Sequence, residues 1–165
     1  MIALYHGGSE VITCPEIREP NRTLDFGKGF YLTSSKPQAE DWVSRRCQAV
    51  GTAFGYVNEY EFDLEEAASM LNVKIFDSPS DEWLDFVMAN RRVLGFTHDY
   101  DIVAGPVAND RVYTAFSLYE GGTISRDILI QQLKTYKLVD QYLFHTPQAL
   151  AHLIFRTAYK IGKND

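Results

Sequence analysis

The residues best suited to chemistry in the first part of the chain are His6 and Tyr31. His6 stands where a short apolar stretch ends in two glycines, and glycines let a ligand approach the backbone closely. Tyr31 follows a Gly-Lys-Gly turn at residues 27–29, which would leave room for a planar ligand over its ring. Trp42, eleven positions later, offers a second aromatic face. An imidazole and two aromatic rings predict a binding site for a planar molecule.

Each of these residues also has an ordinary structural interpretation. His6 could be a histidine at a strand end that hydrogen-bonds to a nearby loop, Tyr31 a packed strand tyrosine, and Trp42 a core tryptophan. Asn109 and Asp110 follow a Gly-Pro loop and could either contribute to chemistry or cap a helix. The functional interpretation therefore depends on whether these residues belong to one larger pattern.

The elements that would position them indicate an α+β fold with a largely antiparallel sheet. Hydrophobic periodicity and turn residues predict strands at 2–5, 29–33, 56–62, 73–76, 100–104, 141–145 and 153–161. Helices are predicted from Lys36 behind a serine cap, at 80–94, 111–119 and 126–134, and from Pro147 behind Thr146. No regular βαβ alternation and no GxGxxG motif occurs, which disfavours a doubly wound fold.

Two of these elements set the direction of the aromatic side chains. Within the strand, Tyr31 should face the side of the sheet opposite to Phe30 and Leu32. The first helix carries apolar residues at three- to four-residue spacing, which predicts one buried face. That face would consist of Ala39, Trp42, Val43, Cys47 and Val50. Trp42 would then point inward from the helix that follows Tyr31.

The composition is that of one globular domain covering residues 1–165. The chain is 45% hydrophobic and 23% charged, enough to bury a core without disulfides or metal. Its net charge of −6 argues against wrapping nucleic acid, which requires many phosphates to be neutralised. Residues 18–46 nevertheless carry six Lys or Arg against four Asp or Glu. This local excess of positive charge suits an anionic ligand.

The cysteine pattern and the hydropathy suggest a location in the cytoplasm. Cys14 and Cys47 form no CxxC motif and no disulfide framework, which favours a reducing compartment. No segment resembles a signal peptide or reaches membrane-spanning length. A metal site built from His98, His145, His152 and the two cysteines is not expected, because no pair has the spacing of zinc ligands. A hydrolase of the GxSxG type is likewise not indicated.

Three stretches, taken in order, resemble the ADP-ribosyltransferase superfamily. They are residues 5–7 (YHG), 26–32 (FGKGFYL) and 140–145 (DQYLFH). The match is closest to the branch with a histidine, tyrosine and glutamate motif, which includes the poly(ADP-ribose) polymerases. Gln148 falls where that branch often has a glutamine. Residues 101–110 (DIVAGPVAND) are also similar to a segment of a small uncharacterised bacterial family assigned to this superfamily.

The resemblance implies a split antiparallel β-sheet core and NAD as a co-substrate. His6 would bind ribose hydroxyls on the adenosine side, and the Gly7 backbone would hold the nicotinamide carboxamide. Tyr31 would stack on the nicotinamide ring, with Trp42 as the second face, while Lys28 and Gly29 belong to the turn of the dinucleotide site. Ala39 stands where the polymerases have a serine that contacts the carboxamide, so this contact would be missing.

Gln141 takes the place of the catalytic glutamate, and this limits the expected activity. A neutral amide can orient the ribose by hydrogen bonding but cannot deprotonate an incoming hydroxyl. We therefore expect transfer of a single ADP-ribose, or slow NAD cleavage, rather than polymer elongation. Asp140 is adjacent, but strand alternation should point it to the other face. The alternative is a catalytically weak or inactive module that binds NAD or ADP-ribose, or a partner protein.

The sequence leaves the acceptor of the ADP-ribose open. The acidic composition favours a protein or a small molecule over nucleic acid. Small bacterial members of the superfamily are often toxins, so the resemblance also implies a possible antitoxin or regulatory partner protein.

Overall fold

The computed structural model describes residues 1–20 and 22–162, and within them the chain forms seven strands and six helices. The strands are Ile2–Gly8 (β1), Phe30–Leu32 (β2), Phe54–Phe62 (β3), Val73–Ile75 (β4), Ile102–Pro106 (β5), Asp140–Phe144 (β6) and Ile154–Gly162 (β7). The helices are Lys36–Val50 (α1), Leu64–Met70 (α2), Asp81–Arg92 (α3), Asp110–Glu120 (α4), Arg126–Thr135 (α5) and Pro147–Leu150 (α6).

The strands form two sheets that meet at one point. One sheet has the order β1-β3-β7 and is antiparallel, and the other has the order β2-β6-β5-β4, in which only β4 and β5 are parallel. A bridge between Tyr5 and Thr33 joins β1 to the end of β2, with N–H···O distances of 2.8 and 2.9 Å in the two directions. The prediction of a mixed α+β fold with largely antiparallel pairing is confirmed.

Buried side chains pack on the two sheets in three clusters. Helices α3, α4 and α5 cover β5 and β6 with apolar residues such as Trp83, Phe116 and Leu129. Leu4, Tyr60 and Phe144 belong to a second cluster, which lies between the two sheets. Helix α1 packs on β1 and β3 through a third, smaller cluster. Buried side chains of β1 and of β2 share the second cluster, so the packing holds these two strands together up to the point where they separate.

Helix α1 begins as predicted but buries fewer residues than expected. The Ser35 side chain accepts a hydrogen bond from the backbone N–H of Gln38 and caps the helix. Ala39, Val43 and Cys47 are buried, whereas Trp42 and Val50 are exposed by 42% and 51%. The prediction that Trp42 points inward is wrong, because it lies about 100° around the helix from Val43. Val50 is the last residue of α1, one residue before Gly51 ends the helix.

Two further predictions about elements need correction. Strand β5 does not end before Gly105 and Pro106 but includes both, since they pair with Gln141 and Asp140 of β6. Proline is tolerated there because it is the terminal residue of the strand. Helix α2 was not predicted at all, and Ala67 is its one buried residue. A short helix with so little apolar surface gives no periodic signal.

Candidate functional site

A cleft of about 1140 Å³ opens where β1 and β2 separate. Small-molecule sites usually enclose roughly 300–1,000 Å³, so this cleft has room for a dinucleotide. Residues singled out from the sequence for the dinucleotide line it, among them His6, Gly7, Tyr31, Trp42 and Gln141. They lie on four elements, β1, β2, α1 and β6, and the fold brings them to one surface.

His6 enters the cleft as a neutral imidazole with one free acceptor. Its Nδ1 lies 2.7 Å from the carbonyl oxygen of Tyr31, and because a carbonyl only accepts, Nδ1 carries the proton. The ring stacks on Phe30 with centroids 4.2 Å apart. Burial lowers the pKa of His6, only partly opposed by the bond to the Tyr31 carbonyl. The remaining nitrogen, Nε2, is therefore an acceptor at neutral pH.

Gly7 presents its peptide groups to the cleft. Peptide groups along an antiparallel strand alternate in direction, and the N–H and C=O of Tyr5 point away from β3 to bond Thr33. The same groups of Gly7, two residues later, point to that side as well. A Cβ at Gly7 would lie 2.9 Å from Val43 Cγ2 and 3.1 Å from the Ala39 carbonyl oxygen. Glycine thus allows α1 to pack close to β1 at this position.

Tyr31 forms a rigid wall of the cleft. Its side chain packs on the cluster under α3 and α5, whereas Phe30 and Leu32 pack on the other cluster, so the predicted alternation is confirmed. The hydroxyl donates to the carbonyl oxygen of Gly27 at 2.5 Å and accepts from the N–H of Phe26 at 3.2 Å. Burial raises the pKa of Tyr31 well above its ordinary value. The ring is consequently a neutral, fixed surface on which a ligand can stack.

The glycines of the turn before Tyr31 have a different role from the one predicted. A Cβ at Gly27 would lie 2.9 Å from Asn90 Oδ1, and one at Gly29 would lie 2.5 Å from the Phe144 carbonyl oxygen. These glycines make room for α3 and β6, not for a ligand over the tyrosine, so that expectation is wrong. Their φ values of 89° and 156° also suit glycine alone.

Lys28 and Gly29 do not line the cleft. The Lys28 ammonium forms an ion pair with Glu19. The backbone carbonyl oxygen of Lys28 accepts a short hydrogen bond from His145 Nδ1. Their predicted contact with the dinucleotide stays a prediction. Trp42, by contrast, borders Gly7, since a Cβ there would lie 3.0 Å from the indole. The indole is exposed at the cleft, where it can cover a ligand from outside the core.

Gln141 is buried at the end of the cleft beside a carboxylate that the sequence interpretation missed. Its Nε2 donates to Oδ2 of Asp25 at 3.2 Å. The side chains of Gln141 and Asp25 are only 9% and 7% exposed, and both residues line the cleft. The signal available in the sequence was an acidic residue directly before the FGKGFYL stretch.

Asp25 is surrounded by hydrogen-bond donors. It accepts from the N–H of Ala108 at 3.2 Å and from the hydroxyl of Tyr113 at 3.3 Å. Arg91 Nη1 lies 3.8 Å from Oδ1, within ion-pair range but beyond a hydrogen bond. Burial raises the pKa of Asp25, and these donors and the Arg91 charge only partly oppose it. A buried carboxylate in a ligand-sized cleft is a common feature of functional sites.

Two of the other candidates, Asp140 and Asn109, are held by the protein. Asp140 points away from Gln141, as strand alternation predicted, and accepts from the Thr33 hydroxyl at 3.0 Å and the Ser34 N–H at 2.8 Å. Asn109 caps α4 by accepting from the N–H of Val112 at 3.1 Å, the structural alternative considered for it. The side chain of Asp110 lies outside the described part of the chain.

Arginines surround the cleft, in agreement with the local positive charge of the sequence. Those that line it are Arg18, Arg22, Arg45, Arg46 and Arg111. Arg18 lies 3.7 Å from Glu10, and the guanidinium of Arg111 lies over the Tyr136 ring at 4.2 Å. A guanidinium group can bind two oxygens of one phosphate through two parallel hydrogen bonds. The rim is therefore suited to a ligand with phosphate groups.

His98 and His145, for which a metal site was not expected, contact the backbone of the turn that precedes Tyr31. The rings of His98 and His145 lie 4.3 Å apart, and each contacts a backbone carbonyl, of Phe26 and Lys28 respectively. Cys14 is exposed and Cys47 is buried, and neither forms a disulfide. Within residues 1–20 and 22–162, no three His, Cys, Asp or Glu side chains are grouped as metal ligands, and no helix has the length and apolar character needed to cross a membrane.

These features define a class of mixed α+β protein in which two sheets separate around a cleft rimmed by arginines. The chain belongs to the family described as protein of unknown function (DUF3990), whose model matches residues 2–155. No curated protein matches the sequence significantly. The function must therefore be argued from the residues of the cleft.

Proposed function

We propose that the protein has an ADP-ribosyltransferase fold and transfers a single ADP-ribose from NAD to an acceptor. The observation that supports this most strongly is the convergence of His6, Gly7, Tyr31 and Gln141 in one cleft. These are the residues to which the resemblance gives roles. Their convergence is not required by the sequence pattern, so it is independent support for the proposal.

Residues of the cleft are suited to the nicotinamide, a ribose and the phosphates of NAD. The peptide groups of Gly7 match the carboxamide of nicotinamide, which has both a donor and an acceptor. The nicotinamide ring would stack on Tyr31 under the Trp42 indole, and stacking contributes roughly 1–3 kcal/mol per ring. His6 Nε2 would accept a hydrogen bond from a ribose hydroxyl. The arginines of the rim would contact the two phosphates.

The reaction separates nicotinamide from the ribose. The bond between the nicotinamide nitrogen and C1′ breaks with both electrons going to the nitrogen, so neutral nicotinamide leaves and positive charge develops at C1′. A lone pair of the acceptor then forms the new bond to C1′, and the acceptor's proton passes to solvent. Tyr31 and Trp42 exclude water around the leaving ring, while the Gln141 amide holds a ribose hydroxyl.

A second candidate is a module that binds NAD or ADP-ribose without turnover. The neutral Gln141 at the position of a catalytic glutamate favours it, since an amide brings no charge to the developing cation. In either case the acceptor or partner would be a protein or a small molecule rather than nucleic acid, because the molecule is acidic. A toxin neutralised by a partner protein is one biological setting compatible with both.

Incubation with NAD labelled in the nicotinamide distinguishes the two candidates. Water can act as the acceptor, so release of nicotinamide needs no knowledge of the natural acceptor. We expect slow release by the wild type and its loss in His6→Ala and Tyr31→Ala, whereas Tyr31→Phe, which keeps the ring, retains most of it. His152→Ala, outside the cleft, is the control. Thermal stabilisation by NAD without release would identify the binding module. The absence of both stabilisation and release would refute a dinucleotide site.

A further inference from the structure

Asp25 is a buried carboxylate in the cleft for which neither the fold nor the resemblance provides a role. Asp25 accepts a backbone hydrogen bond from Ala108, between β5 and α4, and side-chain hydrogen bonds from Tyr113 of α4 and Gln141 of β6. Arg91 Nη1 forms an ion pair with Asp25 Oδ1 at 3.8 Å but makes no direct hydrogen bond to it. The charge of Asp25 is thus only partly compensated, next to the residue that replaces a glutamate.

The contact with Asp25 determines how the Gln141 amide is oriented. Asp25 Oδ2 accepts hydrogen bonds from the Ala108 N–H and from the Gln141 amide, so the Nε2 end of that amide faces it at 3.2 Å. The Oε1 end therefore faces away from Asp25. A donor on the ligand, such as a ribose hydroxyl, would then meet an oxygen there, as it would with a glutamate. A hydrogen bond to a carboxylate also polarises the amide and increases the negative charge on Oε1.

We propose that Asp25 is the positioning residue of this site and that, together with Gln141, it replaces one glutamate. Gln141 contributes the oxygen that accepts from the ribose, and Asp25 contributes the negative charge that stabilises the cation developing at C1′. The inference rests on the proposed function, because it assigns the charge that the NAD reaction needs. No proton is transferred between the two residues, and the bonds made and broken are those of the reaction described above.

Moving the charge from one residue to the other tests this directly. Asp25→Asn removes the charge, and we expect kcat for nicotinamide release to fall about 100-fold, the loss typical of removing one transition-state contact, with KM changed by less than about threefold. The double variant Asp25→Asn with Gln141→Glu returns one negative charge to the site and should restore kcat to within about tenfold of the wild type. Because Gln141→Glu brings a charge of its own, the diagnostic result is the loss of kcat in a folded Asp25→Asn variant, and the double variant shows that the missing element is the charge.

Three controls make the result interpretable. Asp77→Asn, an exposed aspartate outside the cleft, should leave kcat unchanged. Thermal unfolding of each variant shows whether it folds. Gln141→Glu alone places two carboxylates about one hydrogen bond apart, so one of them should stay protonated. Over the acidic range, kcat of this single variant should therefore depend less steeply on pH than kcat of the double variant.

The outcomes separate this inference from the proposed function. Wild-type release with an equally active Asp25→Asn variant, or with a double variant as inactive as the single one, overturns the inference and leaves the function standing. A wild type that releases no nicotinamide overturns the function and the inference together. The side-chain ¹⁵N–H signals of Gln141 give a readout without NAD. They should shift with the titration of Asp25 and lose this shift in Asp25→Asn, and signals that do not shift overturn the inference.

Discussion

At the scale of the residue, His6 combines the structural and the functional interpretation of its position. Its Nδ1 is bonded to the protein through the Tyr31 carbonyl, as expected for a histidine at a strand end. That same bond fixes the tautomer and leaves Nε2 as an acceptor in the cleft. A structural contact of one ring nitrogen therefore leaves the other nitrogen able to accept a hydrogen bond.

The neutral state of His6 predicts how stability depends on pH. Burial lowers its pKa in the folded protein, so below an unfolded value of about 6.5 the unfolded chain binds more protons than the folded one. Stability from this residue is present above that value and is lost as the pH falls. His6→Asn keeps a donor for the Tyr31 carbonyl but cannot titrate. Its melting temperature should fall less than that of the wild type between pH 7.5 and 5.

A variant that loses as much stability as the wild type over this range would contradict the prediction. His98, whose pKa is also lowered by burial, contributes a fall of the same sign, so the slope in His6→Asn should be reduced and not abolished. Thermal unfolding followed by far-ultraviolet circular dichroism measures both slopes.

At the scale of the element, the sequence predicted what depends on local signals. Serine and threonine caps begin α1, α3, α5 and α6 where they were expected or within a residue of it. The errors occur where burial depends on a partner element. Trp42 matches the apolar spacing of α1, yet the edge of the sheet leaves it exposed. Gly27 and Gly29 lack a Cβ and so leave space for α3 and β6. No local sequence pattern reveals this role.

The contact between α1 and β1 gives a prediction with a matched pair of glycines. A Cβ at Gly7 would lie within 3.1 Å of three atoms of α1, one of them a backbone oxygen, whereas at Gly8 the nearest atom is 3.6 Å away. Gly7→Ala should push the helix away from β1, lower the free energy of unfolding by about 1–3 kcal/mol and weaken NAD binding. Gly8→Ala should change the free energy of unfolding by less than about 1 kcal/mol.

Urea denaturation of both variants measures the difference. Neither glycine has a positive φ, so backbone strain does not confound the comparison. Equal stabilities of the two variants would show that α1 is not held against β1 at Gly7.

At the scale of the whole molecule, the site depends on pairings between distant segments. Asp25 and Gln141 are 116 residues apart, and Tyr5 pairs with Thr33 although β1 and β2 belong to different sheets. Local signals predict the elements, but they carry no information on which strand edges meet. The convergence of His6, Tyr31 and Gln141 could be expected only from the resemblance, and Asp25 was missed because its partner became visible only in three dimensions.

The charge distribution of the whole molecule gives the last prediction. The net charge of −6 would repel a dinucleotide at long range, so binding must depend on the arginines of the rim. Removing two of them with Arg22→Gln and Arg46→Gln should weaken NAD and ADP-ribose binding about tenfold or more and leave nicotinamide binding unchanged, because only the first two ligands carry phosphates. Arg156→Gln, whose partner Glu61 lies outside the cleft, is the matched control.

The protein contains its own reporter for this measurement. Its two tryptophans differ in exposure, since Trp42 borders the cleft and Trp83, on the inner face of α3, is completely buried. A nicotinamide ring between Tyr31 and Trp42 should quench the emission of Trp42, and Trp42→Phe should abolish the change while the emission of Trp83 remains. Affinity should also decrease with salt, because the phosphate contacts are screened. Quenching that persists in Trp42→Phe, or an affinity independent of salt, would place the ligand elsewhere.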